Sequence, residues 1–113
     1  SKQLPPEWIE FRYRIFAIPG RNPVILRLGQ SNFTLAGVRP QVYQPILDSL
    51  AHITQKTLII WGEDDRIIPV RHAYIAAAGL PNNQLEIFPN CGHHPYLEYP
   101  AKFNRLVLEF LDT

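Results

Sequence analysis

Two short apolar segments separated by an alanine-rich stretch constrain the fold more than any other feature of this sequence. Thr57–Trp61 is a continuous run of branched and aromatic side chains, which is typical of a strand covered on both faces. Gln84–Phe88 has the length and composition of a second strand. Between them, Pro69 suits the first turn of a helix and Gly79 suits its end. Strand, helix and strand in this order predict two parallel strands joined by a crossover helix. A small-residue surface for close packing on the sheet is predicted from Ala73, Ala76, Ala77 and Ala78.

The remaining segments are predicted to be helical. Apolar residues recur at i, i+3, i+4, i+7 and i+8 between Phe103 and Leu111, which predicts an amphipathic helix that begins near Pro100 and covers the sheet. Residues 1–53 carry proline and glycine boundaries, and Val24–Leu28 within them could be a helix or a strand. We interpret residues 1–53 as a helical segment that precedes a sheet-bearing part, residues 54–113. The predicted helices of the first segment cover residues 5–18, 23–38 and 40–51.

Length and composition limit the class of protein. A chain of 113 residues is the size of one domain, and its net charge of +1 does not indicate a nucleic-acid partner. The single cysteine, Cys91, excludes an intrachain disulfide and fits a reducing compartment. No apolar run approaches the roughly 20 residues that span a bilayer, and the N-terminus has no signal-peptide core. We therefore expect a cytoplasmic protein without a membrane or nucleic-acid partner.

Chemically active side chains follow both predicted strands. Asp65 lies just past the first strand and His93 a few residues past the second. Ligands collect at the carboxyl ends of parallel strands, and neighbouring strands lie about 4.8 Å apart, so both side chains can reach the same edge. A carboxylate that accepts the Nδ1–H of an imidazole fixes its tautomer and leaves the other nitrogen free to accept a proton. This pattern predicts the acid and base of a charge-relay pair.

Several neighbouring residues compete for these roles. Asp64 is the alternative acid, although we interpret Asp64 and Glu63 as exposed loop residues. His94 could line a pocket, but packing or surface exposure explains it equally well. Cys91 has no activating context as a nucleophile and is expected to be a small buried residue. A metal site is not predicted, because the two-pair ligand spacing is missing.

The order and spacing of these pieces resemble the C-terminal part of an α/β-hydrolase. The matching residues are Leu58 to Asp65, Pro69, Cys91-Gly92-His93, Glu98, Pro100, Phe103-Asn104 and Leu108 to Leu111. The pattern is most similar to hydrolases of esters and of the C–C bonds of ring-cleavage products. The resemblance implies a partial α/β-hydrolase fold, with Asp65 as triad acid, His93 as triad base and no cofactor. Residues 1–53 then correspond to the end of a helical cap, which would cover the pocket and select a small-molecule substrate.

The resemblance also implies that the nucleophile lies outside this chain. That family carries it in a G-x-S-x-G elbow, and Ser1, Ser31 and Ser49 have no such setting. The expected function is therefore a hydrolase acting on ester, thioester or C–C bonds, with this chain inactive by itself. An Asp-nucleophile dehalogenase or epoxide hydrolase is an alternative, and so is a catalytically silent domain that mainly self-assembles. Because two strands are too few for a stable sheet, pairing is expected with the missing N-terminal half or with another copy.

Overall fold

The computed structural model describes residues 5–34 and 37–112. These divide into two compact units, one up to Asp48 and the other from Ser49 onward. The helices are α1 (Pro6–Phe16), α2 (Arg21–Asn32), α3 (Pro40–Leu50), α4 (Arg71–Gly79), α5 (Pro95–Glu98) and α6 (Pro100–Leu111). The strands are β1 (Phe33–Thr34), β2 (Gly37–Val38), β3 (Thr57–Gly62) and β4 (Asn83–Phe88).

The second unit is built on the predicted pair of parallel strands. β3 and β4 pair in parallel, with a register that runs from Thr57 opposite Asn83 to Gly62 opposite Phe88. α4 connects the two strands. The prediction of two parallel strands joined by a helix is confirmed, and the strands end side by side at one edge of the sheet.

Apolar clusters cover both faces of this sheet. One cluster joins Ile59 to Ala73 of α4 and to Leu80, and the other joins Phe88 and Cys91 to Leu106 of α6. Because side chains alternate along a strand, successive residues of β3 contribute to opposite clusters. Burial of the two strands therefore follows from helices on both sides, as their uninterrupted apolar composition predicts.

The last residue of the predicted alanine surface and the last apolar residue of the predicted C-terminal helix do not belong to these clusters. Ala78 is exposed, and Leu111 is 70% exposed in the last turn of α6. α4 begins at Arg71, two residues after Pro69, and the four-residue helix α5 was not predicted. These differences concern the edges of elements and leave the order of strands and helices as expected.

The first unit differs from the all-helical interpretation. The predicted helix over 23–38 is wrong beyond Asn32, because β1 and β2 form a short antiparallel pair at its end. The side chains of Ser31 and Asn32 both donate to the carbonyl oxygen of Leu28 at 2.9 Å. Such side-chain bonds compete with the helical backbone pattern and favour its termination.

Helices of the first unit present much of their apolar surface to solvent. Among the described residues of α1, α2 and α3, no side chain is buried, and Phe11 of α1 is 58% exposed. Within the described parts of the chain, none of these or the other helices combines the length and the apolar character needed to cross a membrane.

Candidate active site

The loops that leave β3 and β4 touch through their backbones. The N–H of Glu63 donates to the carbonyl oxygen of Phe88 at 3.0 Å, and the N–H of Asp64 donates to that of Cys91 at 2.9 Å. Gly62 ends β3 at this contact, and a Cβ there would collide with the carbonyl oxygens of Cys91 and Gly92. Glycine is therefore required for the two loops to approach, and this approach places Asp65 beside His93.

Asp65 is the buried centre of the site. It is 8% exposed, and its Oδ1 accepts the backbone N–H groups of Ile67 and Ile68 at 2.8 and 2.9 Å. Its Oδ2 lies 2.8 Å from Nδ1 of His93. Burial by itself would raise the pKa of the Asp65 carboxyl. The hydrogen bonds from His93, Ile68 and Ile67 outweigh burial and hold the pKa below its ordinary value.

These contacts define the protonation of the imidazole. Because the pKa of Asp65 is lowered, its carboxylate is ionised near neutral pH and can only accept hydrogen bonds. The Nδ1 of His93 must therefore carry the proton that lies between them, which leaves Nε2 unprotonated in the neutral ring. The His93 side chain keeps 32% of its exposure, against 3% for Asp65. A buried acid thus holds a partly accessible base.

The structure separates the two candidate acids. Asp64 and Glu63 are exposed, whereas Asp65 is buried and contacts His93. Cys91 is fully buried, as expected for a packed residue. Burial is the main reason that the pKa of the Cys91 thiol rises to about 11, followed by repulsion from Glu98, Asp64 and Asp65. A thiol with this pKa is unsuited to act as a nucleophile near neutral pH.

His94 lies beside the Asp65–His93 pair and its ring is tilted against that of His93. Its ring centre is 4.9 Å from that of His93, and its Nδ1 is 3.4 Å from the Tyr96 hydroxyl. Within the described residues, His94 is half-buried and is not among those that line the adjoining cleft. No group of three or more His, Cys, Asp or Glu side chains in residues 5–34 and 37–112 is arranged to hold a metal ion.

A cleft of about 180 Å³ opens at the Asp65–His93 pair. Trp61, expected from the sequence only to pack, lines this cleft, and its indole N–H donates to the carbonyl oxygen of Ile68 at 3.0 Å. It therefore contacts the same loop whose backbone N–H groups Asp65 binds. Its place directly before the strand-end glycine was the sequence signal for this role. The lining residues are Ile60, Trp61, Gly62, Asp65, His93 and Pro95.

Comparison with known families agrees with this geometry. Residues 4–100 match the model of the family described as alpha/beta hydrolase fold. The chain therefore belongs to the α/β-hydrolase fold family, and the partial form of the fold predicted from the sequence is confirmed.

Its relatives include named hydrolases. Over 92 residues, or 80% of the chain, it is 40% identical to a 2-hydroxy-6-oxo-6-phenylhexa-2,4-dienoate hydrolase of Burkholderia cepacia. It is 39% identical over the same share to a 2-hydroxy-6-oxononadienedioate/2-hydroxy-6-oxononatrienedioate hydrolase of Comamonas testosteroni. Each match covers 31% of the relative, so the chain spans about a third of their length.

The solved structures give the same family likeness. A meta-cleavage product hydrolase superposes on 94% of the chain with a TM-score of 0.70 and 27% identity, and the match covers 38% of that protein. The resemblance to C–C bond hydrolases stated from the sequence is thus borne out among the relatives.

Proposed function

We propose that this chain supplies the acid and the base of a Ser-His-Asp triad in a hydrolase that cleaves C–C bonds. The hydrogen bond of 2.8 Å between Asp65 and His93, at the mouth of a cleft, carries this proposal. The named activities of its relatives favour 2-hydroxy-6-oxo-dienoates as the substrate class. Water would be added across the C–C bond next to the 6-oxo group, which yields a carboxylic acid and a shorter 2-hydroxydienoate. Ester hydrolysis would use the same groups.

Each residue of the pair has a defined role in this chemistry. Asp65 holds the Nδ1–H of His93 and stabilises the imidazolium that forms when Nε2 takes a proton. His93 first acts as general base toward the attacking hydroxyl and then returns the proton to the leaving group. No cofactor takes part in these steps. The low pKa of Asp65 supports the assignment, since a carboxylate must stay ionised to stabilise the imidazolium.

The nucleophile is proposed to come from polypeptide outside residues 1–113. The sequence contains no G-x-S-x-G elbow, and the cleft of about 180 Å³ is smaller than a typical ligand pocket of about 300–1,000 Å³. Further walls, the nucleophile and the oxyanion-binding groups would therefore come from the rest of the fold. The cap-like role of residues 1–53 remains part of this proposal.

The same missing part of the fold is the proposed partner. In the described residues, the β3–β4 sheet has two strands, and apolar residues beside it remain exposed, including Ile75 (47%), Leu108 (62%) and Leu111 (70%). A two-stranded sheet is marginal in water, and exposed apolar surface of this kind indicates an interaction site. We expect further strands of the hydrolase fold to cover it. A second copy of the chain is the alternative partner, and a concentration-independent monomer of the isolated chain in light scattering would contradict that alternative.

The proposal is tested in a protein that joins residues 1–113 to an upstream α/β-hydrolase half with a G-x-S-x-G elbow. Turnover of a 2-hydroxy-6-oxo-dienoate and of a p-nitrophenyl ester is measured for the parent, for His93→Ala and for His72→Ala. His72 is exposed on α4 and serves as the matched control. His93→Ala should lower kcat by about a thousandfold or more, because the triad acts as a unit. His72→Ala should match the parent.

Other outcomes would redirect the assignment. Parent-like turnover by His93→Ala would contradict the role of the pair. No turnover of either substrate by the joined protein would favour a catalytically silent chain. Turnover of haloalkanes or epoxides by a second joined protein that carries aspartate in place of the elbow serine, with no turnover by the serine form, would favour the aspartate-nucleophile alternative.

A further inference from the structure

Residues at the junction of α5 and α6 form hydrogen bonds with the backbone of the loop that carries His93. Glu98, the last residue of α5, is 6% exposed, and its Oε1 accepts the backbone N–H of Gly92 at 2.9 Å. The hydroxyl of Tyr99, the next residue, donates to the carbonyl oxygens of Pro89 and Asn90 at 3.3 Å each. Two adjacent side chains therefore contact the backbone of one loop directly before the histidine.

Gly92 and Glu98 fit each other closely. A Cβ on Gly92 would lie 2.9 Å from Oε1 of Glu98, so the carboxylate approaches the backbone where a larger residue would interfere. Glycine also has the widest freedom of φ and ψ, which makes the residue before His93 the most easily rotated point of the loop. A hydrogen bond to its N–H removes that freedom at the position where a rotation would swing the imidazole away from Asp65.

The other carboxylate oxygen shows that this anchor is costly. Oε2 of Glu98 is buried and has no hydrogen-bond partner among the described residues. A buried acceptor without a partner costs stability, so the bond that Oε1 makes is the contact that offsets the burial of this side chain. The charge-assisted bond from Oε1 to Gly92 is what the buried carboxylate provides.

We propose that Glu98 is a positioning residue for His93, which acts through the N–H of Gly92 to keep the imidazole within hydrogen-bonding distance of Asp65. The inference rests on the proposed role of His93 as the base and adds a residue that touches neither substrate nor nucleophile. Three contacts then fix the loop: Glu98 on Gly92, Tyr99 on Pro89 and Asn90, and the N–H of Asp64 on Cys91.

The test compares the joined protein, which contains residues 1–113 and the upstream hydrolase half, with its Glu98→Ala and Glu98→Gln variants and with the control Glu109→Ala. Glu109 lies on α6 with a side chain that is 66% exposed. Two NMR signals are followed: the downfield Nδ1–H proton of His93 and the exchange rate of the Gly92 amide with solvent. Loss of a bond to a charged acceptor should speed Gly92 exchange by about tenfold or more in Glu98→Ala. The same variant should broaden or lose the Nδ1–H signal.

The conservative variant separates positioning from a general loss of stability. Gln keeps an oxygen for the Gly92 N–H, so Glu98→Gln should retain the His93 signal and most of the Gly92 protection, and Glu109→Ala should equal the parent. In Glu98→Ala, the exchange rate of the Gly92 amide must also increase by a larger factor than the exchange rates of the β3 amides, because a general loss of stability would speed both. If Glu98→Ala does not fold, Glu98→Asp replaces it, because its shorter side chain should lose the Gly92 protection.

The inference is overturned if a folded Glu98→Ala, or Glu98→Asp in its place, keeps both parent signals. It is also overturned if Glu98→Gln loses them as fully as the alanine variant. A parent chain without the Nδ1–H signal would instead contradict the proposed Asp65–His93 pair. Gly92 exchange would then still decide whether Glu98 anchors the loop.

Discussion

Replacement of Asp65 perturbs three hydrogen bonds at once. Two come from the N–H groups of Ile67 and Ile68, and the third comes from Nδ1 of His93, at 2.8 to 2.9 Å. A hydrogen bond contributes about 1 kcal/mol net, and one to a charged group about 1.5–3 kcal/mol. Ile67 and Ile68 are 69% and 41% exposed, so their N–H groups can bind water after the change, which favours the lower values. Asp65→Ala should therefore lower the free energy of unfolding by about 3–4 kcal/mol.

Asp65→Asn is expected to be milder and to change the histidine. The amide oxygen can still accept the N–H groups of Ile67 and Ile68, so the cost in unfolding free energy should be about 1–2 kcal/mol. Its NH₂ group would then face Nδ1 of His93, and two donors cannot share one hydrogen bond. The imidazole should shift its proton to Nε2, which removes the base that the proposed reaction needs.

Urea unfolding of the joined protein at neutral pH, followed by circular dichroism, measures both changes. Asp64→Ala is the control, because Asp64 is the exposed neighbour of Asp65 and should change the unfolding free energy by less than about 0.5 kcal/mol. If Asp65→Ala costs no more than Asp64→Ala, the carboxylate does not hold the loop and the reasoning fails.

Three further predictions concern the same loops. Gly62→Ala should lower the free energy of unfolding in urea by about 3 kcal/mol, because its Cβ would collide with backbone atoms. The control Gly29→Ala should not lower it, because a Cβ there meets nothing within 4 Å. Equal effects of the two substitutions would contradict the close approach of the loops. Cys91 should react with a thiol reagent at least about 100-fold more slowly in the folded than in the urea-unfolded chain, because its pKa rises from 9.0 to about 11; equal rates would refute its burial. Because the pKa of Asp65 is lowered, its carboxylate stabilises the fold at pH values above the ordinary pKa of 3.8, and this contribution is lost as the pH falls below that value. The free energy of unfolding should therefore decrease less at low pH in Asp65→Asn than in the parent. An identical decrease in both proteins would contradict the hydrogen-bond network around Asp65.

The strands and the proximity of Asp65 to His93 follow from local sequence, whereas the supporting contacts do not. Thr57–Trp61 is apolar throughout, so its burial between two layers needs no knowledge of the partner strand. The proximity of Asp65 and His93 follows from the order of parallel strands, since both loops leave the same edge. These features depend on periodicity and topology, which a sequence records directly.

Other features depend on conformations that a sequence does not record. The strands after Asn32 replace a predicted helix because side chains of Ser31 and Asn32 bond to a nearby carbonyl. Glu98 accepts the N–H of Gly92 from a loop that turns through Asn90, with φ of 53°, and neither this turn nor the bond can be read from the sequence. The role of Trp61 likewise depends on where its indole N–H points, which requires the folded loop after β3.

The tautomer of His93 in the joined protein, which supplies the upstream half of the fold, tests the central claim most directly. ¹⁵N chemical shifts of the imidazole, measured near neutral pH, report which nitrogen carries the proton. If the buried carboxylate of Asp65 holds the ring, Nδ1 will be protonated and Nε2 free, and Asp65→Asn will reverse this. A parent ring protonated at Nε2, or one that exchanges freely between both forms, would contradict the claim that these two loops assemble an acid–base pair.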